Sequence, residues 1–200
     1  MPRLPSHRNA VGILLAAGRG RRFDPTGGRN KLLQTLADGD PVVVASARHL
    51  MEVLPRVIAV VPPAGGGVAD ALRALGCEVT VCDAADSGMA ASLVHAMRHS
   101  LACSLNQADA WLVALGDMPY VKPETMRALL DALAGGAGIA APVMQGRRGN
   151  PVAFGAAHLA ALLALEGDAG ARALLKSGVV TEVEVSDPGI FQDIDTPADL

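Results

Sequence analysis

Glycines and cations are concentrated in one short stretch near the amino-terminal end of the chain. Residues 15–23 read LAAGRGRRF, and Lys31 follows eight residues later. Five of the 17 Lys and Arg residues fall between Arg19 and Lys31, where Asp24 is the one acid. Glycine lets backbone N–H groups approach a phosphate, and Arg and Lys neutralise its charge. The stretch therefore predicts a phosphate-binding loop, although its spacing fits neither G-x-x-x-x-G-K-[ST] nor G-x-G-x-x-G. A solvated basic loop is the alternative.

Carboxylates that could hold a divalent metal occur in two later stretches. Asp117 lies in LGDMP, directly after an apolar run, while Asp193 and Asp195 lie in DIDTPADL near the carboxyl-terminal end. Mg²⁺ is commonly held by one or two carboxylates together with phosphate oxygens and water. Asp117 and Asp195 are therefore predicted to share one Mg²⁺, with Mn²⁺ as an alternative ion. The competing interpretations are a helix-start residue at Asp117 and a helix cap at Asp195 or Thr196.

Two further stretches carry groups suited to the rest of a nucleotide or to an acceptor. Residues 86–93 read DSGMAASL, where Gly88 and Ser92 suit a base or ribose contact. A plain capped helix explains this stretch equally well. Residues 147–151 read RRGNP, where Arg148 and Asn150 are candidate contacts to an anionic acceptor. Taken alone, that stretch is better explained as a solvated turn.

Short apolar runs alternate with segments of helical spacing, which predicts a three-layer α/β fold with a mixed, mostly parallel sheet. The predicted strands cover residues 11–15, 57–61, 79–82, 110–115, 139–143, 152–154 and 179–185. The predicted helices cover residues 41–53, 68–75, 90–102, 122–134, 156–165 and 169–176. Residues 31–36 are interpreted as a short extended piece. Residues 1–10 are expected to form a flexible lead-in to a single domain over residues 11–200.

Composition excludes several classes of protein. The chain has 200 residues, a hydrophobic fraction of 50% and a net charge of −3, so it can build a core but has no excess of cations for coating nucleic acid. Aromatic residues make up only 2%, too few for a stacking surface for single strands. Three cysteines without a C-x-x-C spacing indicate neither a disulfide scaffold nor a zinc site. With no apolar run of membrane-spanning length and no signal peptide, the expected location is the cytoplasm.

Taken together, these stretches resemble the nucleotidyltransferases of the molybdopterin-nucleotide type, and among them the molybdenum cofactor cytidylyltransferases. The resemblance rests on blocks that occur in the family's order along nearly the whole chain: LAAGRGRRF with Lys31, SGMAASL, LGDMP, RGNPVAFG, GDAGARALL and DIDTPADL. It implies a Rossmann-like sheet with one antiparallel strand near the acceptor side. It also implies metal-dependent transfer of a nucleoside monophosphate to a molybdopterin-type acceptor, with a molybdoenzyme or its chaperone as a candidate protein partner.

The resemblance also assigns roles to residues. By resemblance, the triphosphate contacts are Gly18, Arg19, Gly20, Arg22 and Lys31, and the metal ligands are Asp117 and Asp195. Relatives that use GTP tend to carry A-G-G where this chain has Ala16, Ala17 and Gly18, which favours CTP. The alternatives are guanylyl transfer, another phosphorylated acceptor, or a nucleotide-binding chaperone without turnover. A dinucleotide-dependent oxidoreductase is disfavoured, because the second predicted strand is not followed by an acid.

Overall fold

The computed structural model describes residues 9–18, 20, 22–102, 108–167 and 170–200. Most of the expected lead-in, the predicted triphosphate contact Arg19 and Cys103 therefore lie outside the described residues.

Within these residues the sheet has eight strands, and β7, which lies between β4 and β5, is antiparallel to both of them. The strands are β1 (Ala10–Leu15), β2 (Val57–Val61), β3 (Glu78–Val81), β4 (Ala110–Leu115), β5 (Ile139–Met144), β6 (Arg147–Arg148), β7 (Val152–Gly155) and β8 (Thr181–Glu184). Their order is β3-β2-β1-β4-β7-β5-β6, and β8 pairs with β5 in parallel. Neighbouring strands from β3 to β4 are parallel, whereas β6 forms an antiparallel hairpin with β5.

Helices cover both faces of the sheet. They are α1 (Val42–Met51), α2 (Gly66–Leu75), α3 (Met89–Ala102), α4 (Pro123–Ala134), α5 (Leu159–Leu163) and α6 (Arg172–Ser177). One apolar cluster joins α1, α2 and α4 to one face, and a second joins α3, α5 and α6 to the other. The structure confirms the predicted three-layer, Rossmann-like α/β fold.

The central strands are apolar along their whole length because both of their faces are buried. On β1, Ile13 packs into the cluster beneath α3, and its neighbour Leu14 packs into the cluster beneath α1. Trp111 on β4 is fully buried, and its indole N–H donates to Ser100 Oγ at 3.1 Å, so the aromatic ring enters the core without an unpaired donor. None of the helices in the described part of the chain is long and apolar enough to cross a membrane.

Two local predictions differ from the structure. Residues 31–36, interpreted as extended, begin instead with a 3₁₀ turn over Lys31–Leu33, because the Asn30 side chain accepts a hydrogen bond from the Leu32 N–H and caps that turn. The hairpin strand β6 was not predicted. It is only two residues long, and it follows a tight turn in which Gln145 and Gly146 both have positive φ.

Candidate active site

A cavity of about 500 Å³ lies at the carboxyl ends of β1 and β4, between the glycine-rich stretch and the beginning of α3. This edge is where open α/β sheets bind ligands. Seven of the residues predicted from sequence line it: Leu15, Ala17, Gly18, Lys31, Gly88, Ser92 and Asp117. Leu32, Ala85, Asp86, Met89 and Leu115 complete the lining. Ala16 is buried beside the loop instead.

The glycine-rich stretch turns sharply away from β1. Ala16 N–H still donates to Val60 of β2, and the chain then leaves the sheet. Gly20 has φ +60°, a conformation that favours glycine, and its carbonyl accepts hydrogen bonds from the N–H groups of Phe23 and Asp24. Apart from the chain neighbours of Gly18, no atom of the described residues lies within 4 Å of where a Cβ on Gly18 would stand, so this side of its backbone borders open space. A phosphate therefore has room to approach the backbone at Gly18.

The loop between this turn and Lys31 is organised by Asp24. Its carboxylate accepts hydrogen bonds from the Thr26 hydroxyl at 2.6 Å, the Thr26 N–H at 2.9 Å and the Arg29 N–H at 2.7 Å. These hydrogen bonds, above all the one from the Thr26 side chain, lower the pKa of Asp24. The Arg29 guanidinium lies over the Phe23 ring, 5.2 Å from its centroid. Asp24 and Arg29 thus shape the loop, and these contacts involve neither of the two carboxylates predicted to bind metal.

Lys31 joins the two acids predicted to bind metal. Its Nζ lies 2.7 Å from Asp117 Oδ2 and 3.2 Å from Asp195 Oδ1, so the two carboxylates are no further apart than the sum of these distances. The Lys31 side chain is only 9% exposed, whereas those of Asp117 and Asp195 are 23% and 21% exposed. Arg22, which is largely exposed, forms an ion pair with the other oxygen of Asp195.

Asp117 is positioned by the close approach of β4 to β1. Gly116 N–H donates to the Leu15 carbonyl at 2.9 Å, and a Cβ on Gly116 would stand only 3.2 Å from that oxygen. The Gly116 carbonyl accepts a hydrogen bond from the buried Ser46 hydroxyl at 3.1 Å. The backbone before Asp117 is therefore held on both sides.

Asp195 is brought to Asp117 by backbone contacts of the last segment. The Ile194 N–H donates to the Asp117 carbonyl at 2.8 Å, and the Ile194 side chain is buried. On the other side, Asp199 accepts hydrogen bonds from the Asp195 N–H at 3.1 Å and the Thr196 N–H at 2.7 Å. Thr196, rather than Asp195, is the N-cap of the 3₁₀ turn Pro197–Asp199. The Asp195 carboxylate is therefore not used as the cap and contacts Lys31 instead.

Asp187 anchors the beginning of the same segment. It is 1% exposed and accepts hydrogen bonds from the Lys122 N–H at 2.9 Å, the Thr125 hydroxyl at 2.6 Å and the Gly189 N–H at 3.0 Å. A Cβ on Gly189 would collide with the Tyr120 carbonyl oxygen, so only glycine fits this approach. The segment is thus fastened to the start of α4.

Sequence reasoning missed the structural roles of Asp187 and Asp199. The spacing T-P-A-D in residues 196–199 is a capping-box pattern and could have identified Asp199. Nothing local signals Asp187, because its main partners, Lys122 and Thr125, are more than 60 residues away in sequence.

Asp193 lies close to the carboxylate pair without joining the Lys31 contacts. Its pKa is raised, chiefly because burial disfavours its charged form and also because the charges of Asp195 and Asp117 repel it.

The predicted acceptor contacts lie apart from the cavity. The Arg148 guanidinium binds Glu182 at 2.7 Å and the Leu175 carbonyl at 3.2 Å. The Asn150 N–H donates to the Ile190 carbonyl at 3.1 Å, which places the hairpin after β5 against the segment that carries Asp195. Neither side chain lines the large cavity, so the acceptor role of Arg148 and Asn150 stays a prediction.

The carboxylate pair suits a divalent metal whose other ligands are mostly water molecules and substrate oxygens. Two acids converge on one positively charged group at a partly exposed site, and repulsion between them favours a cation there. The described residues contain no group of three or more His, Cys, Asp or Glu side chains that could hold a metal by themselves. This donor set fits Mg²⁺ or Mn²⁺, which is commonly bound through one or two carboxylates and substrate phosphates.

Comparison with known proteins gives related sequences and folds. The family model of the MobA-like NTP transferase domain matches residues 12–183. Purine catabolism protein PucB of Bacillus subtilis (strain 168) is 28% identical over an alignment of 201 positions. The alignment covers 94% of this chain and 92% of PucB.

Solved structures are similar over nearly the whole chain. Rv0371c of Mycobacterium tuberculosis H37Rv has a TM-score of 0.80 at 30% identity, covering 96% of this chain and 95% of that one. The structure of Rv0371c in complex with manganese has a TM-score of 0.76 at 28% identity, with the same coverage. A nucleotidyl transferase from Methanothermobacter thermautotrophicus, Mth528, has a TM-score of 0.78 at 26% identity, covering 96% of this chain and 94% of that one.

Proposed function

Because this chain belongs to the family of MobA-like NTP transferase domains, we propose that it transfers CMP from CTP to a phosphorylated molybdopterin-type cofactor, with release of pyrophosphate. The observation that carries the proposal is the convergence of Lys31, Asp117 and Asp195 beside the cavity. Cations for a triphosphate and carboxylates for a divalent metal meet there at one point. The manganese bound by the relative Rv0371c supports a divalent metal for this chain too.

In the proposed complex, the triphosphate lies along the glycine-rich turn. The open backbone at Gly18 and the cations Arg22 and Lys31 bind its negative charge. The base and ribose occupy the part of the cavity near Gly88 and Ser92. Ser92 is 4% exposed and lines the cavity, so its hydroxyl is a candidate hydrogen-bonding group for the nucleoside.

The reaction needs little covalent help from the protein. A phosphate oxygen of the acceptor attacks the α-phosphorus of CTP, the bond from that phosphorus to the bridging oxygen breaks, and pyrophosphate leaves. The acceptor phosphate is already ionised at neutral pH, so no general base is required. Lys31 and Arg22 would hold the leaving pyrophosphate in line, while Asp117 and Asp195 would hold the metal. When bound, the metal supplies positive charge to the phosphate oxygens.

Preference for CTP is the finer part of the proposal, and Ala17 supports it. Ala17 lines the cavity where relatives that use GTP tend to carry glycine. Its methyl group narrows the space for a larger purine base. Discrimination of this kind is limited to about 1–3 kcal/mol, so some activity with GTP is expected.

The test is a panel of CTP, GTP, ATP and UTP with Mg²⁺ or Mn²⁺ and a phosphorylated pterin acceptor, with pyrophosphate release as the readout. The expected result is turnover that depends on the acceptor and is fastest with CTP. Asp117→Asn serves as the inactive variant, which should keep the melting temperature of the parent and lose turnover. Absence of pyrophosphate with every nucleotide would refute the transferase proposal. Faster turnover with GTP would refute only the choice of nucleotide.

A further inference from the structure

Cations of the protein itself neutralise both acids of the candidate metal site. The Lys31 ammonium group contacts one oxygen of Asp117 and one of Asp195, and Arg22 pairs with the second oxygen of Asp195. The Lys31 contacts are shielded from solvent, because its side chain is 9% exposed. An ion pair in such a position is screened less by salt and water than an exposed one.

The same two cations are the ones that the triphosphate would use. In the absence of ligands, two cations and two carboxylates therefore balance each other. A divalent metal that arrives alone must compete with the Lys31 ammonium for both acids. A triphosphate that arrives alone must draw Lys31 and Arg22 away from carboxylates that would then repel each other and the phosphates. When both ligands arrive, the phosphates take the cations and the metal takes the acids.

We propose that Lys31 is a coupling residue, which holds the two carboxylates together and makes metal binding depend on the nucleotide. The inference rests on the proposed metal and nucleotide site. It adds that the binding of each ligand depends on the binding of the other. Coupling of this kind is reciprocal, so the metal strengthens nucleotide binding by the same factor as the nucleotide strengthens metal binding. The site then binds free metal ions weakly and binds the metal more tightly together with CTP.

The experiment measures Mn²⁺ binding in the absence of nucleotide, through the loss of the electron paramagnetic resonance signal of free Mn²⁺. In Lys31→Met, which removes the charge and keeps an unbranched side chain, Mn²⁺ should bind at least about tenfold more tightly than in the parent, equivalent to about 1.4 kcal/mol. Lys31→Arg keeps a cation and should bind Mn²⁺ as weakly as the parent. Adding Asp117→Asn to Lys31→Met should remove the gain, which shows that the ion measured is at this site.

Arg29→Met is the matched control, because it removes one positive charge from the same loop at a residue that contacts Gln34 and the Phe23 ring instead of the acids. It should leave the affinity for Mn²⁺ unchanged. Equal or weaker Mn²⁺ binding in Lys31→Met, or an equal gain in Arg29→Met, would overturn the proposal. If Lys31→Met does not keep the parent's melting temperature, Lys31→Gln replaces it.

Because no nucleotide is present, the result is separate from the test of the proposed function. A tenfold gain in a protein that shows no nucleotidyl transfer would support the role of Lys31 and refute the transferase proposal. Transfer activity without the gain in Mn²⁺ affinity would support the transferase proposal and refute the role of Lys31.

Discussion

Replacement of Asp187 by Asn tests whether the segment that carries Asp195 depends on one buried carboxylate. One Asp187 oxygen accepts from the Lys122 N–H and the Thr125 hydroxyl, and the other accepts from the Gly189 N–H. An Asn side chain has only one acceptor oxygen, so its amide nitrogen must face at least one of these donors. The two hydrogen bonds that could remain also lose the charge of their acceptor.

The structure sets the size of the effect. A hydrogen bond to a charged group contributes roughly 1.5–3 kcal/mol, and a buried donor left unpaired costs about 1–3 kcal/mol. We therefore expect Asp187→Asn to lower the free energy of unfolding by about 2–4 kcal/mol. For a chain of this size that corresponds to a fall in Tm of about 5–15 °C. Turnover should fall as well, because Asp195 loses its fixed position beside Asp117.

Denaturant unfolding followed by circular dichroism, together with pyrophosphate release, measures both effects. Asp70→Asn is the matched control, since the Asp70 side chain is 79% exposed and its ion-pair partner among the described residues is Arg73, across one turn of α2. Exposed pairs of this kind contribute about 0–1 kcal/mol. If Asp187→Asn is no less stable than Asp70→Asn, the anchoring role assigned to Asp187 is wrong.

Three further outcomes are expected. Arg22→Ala should weaken binding of CTP more than that of CMP by calorimetry, and equal losses for both nucleotides would contradict a triphosphate contact. Ala17→Gly should reduce the ratio of kcat/KM for CTP over GTP by up to about tenfold, within the limit for selection by shape; an unchanged ratio would remove Ala17 as a determinant. Burial opposes ionisation of Glu78, but hydrogen bonds from Arg56 and His99 outweigh it and lower its pKa below 4.5. That stabilisation is present above pH 4.5 and is lost as pH falls through the lowered pKa, so the fall in Tm caused by Glu78→Gln at pH 7 should disappear in acid. A difference in Tm that does not vary with pH would contradict this assignment.

The parts of the fold that the sequence predicted are those governed by burial alone. The strands at Val57–Val61 and Ala110–Leu115 were predicted to the residue, because continuous apolar runs of that length are buried on both faces. The 3₁₀ turn at Lys31–Leu33 was missed, because a single side-chain cap from Asn30 decides its conformation. Short polar caps of this kind outweigh the apolar character of the residues that follow.

In the candidate site, too, some features could be predicted from the sequence and others depend on tertiary structure. Lys31, Asp117 and Asp195 were singled out because their residue types and neighbouring glycine or proline suggest phosphate and metal chemistry. Their contact with one another depends on tertiary structure, above all on the hydrogen bond from Ile194 to the Asp117 carbonyl. Arg148 shows the limit of such reasoning, since Glu182 on β8, which like the strand of Arg148 pairs with β5, binds its guanidinium. A cationic residue in a sequence predicts a positive charge, but not the residue with which it forms an ion pair.

The hydrogen bond between Ile194 and Asp117 also has a consequence for the protein during its synthesis. A ribosome makes the glycine-rich turn and Lys31 first and Asp117 much later, while Asp195 comes only with the last few residues of this sequence. Domains generally fold as units, so contacts made by the last segment matter for the whole fold. A nascent chain that stops before residue 194 therefore carries the glycine-rich turn without Asp195 and without the Ile194 backbone contact that fastens it. Such a product would lack one of the two acids that we propose hold the metal.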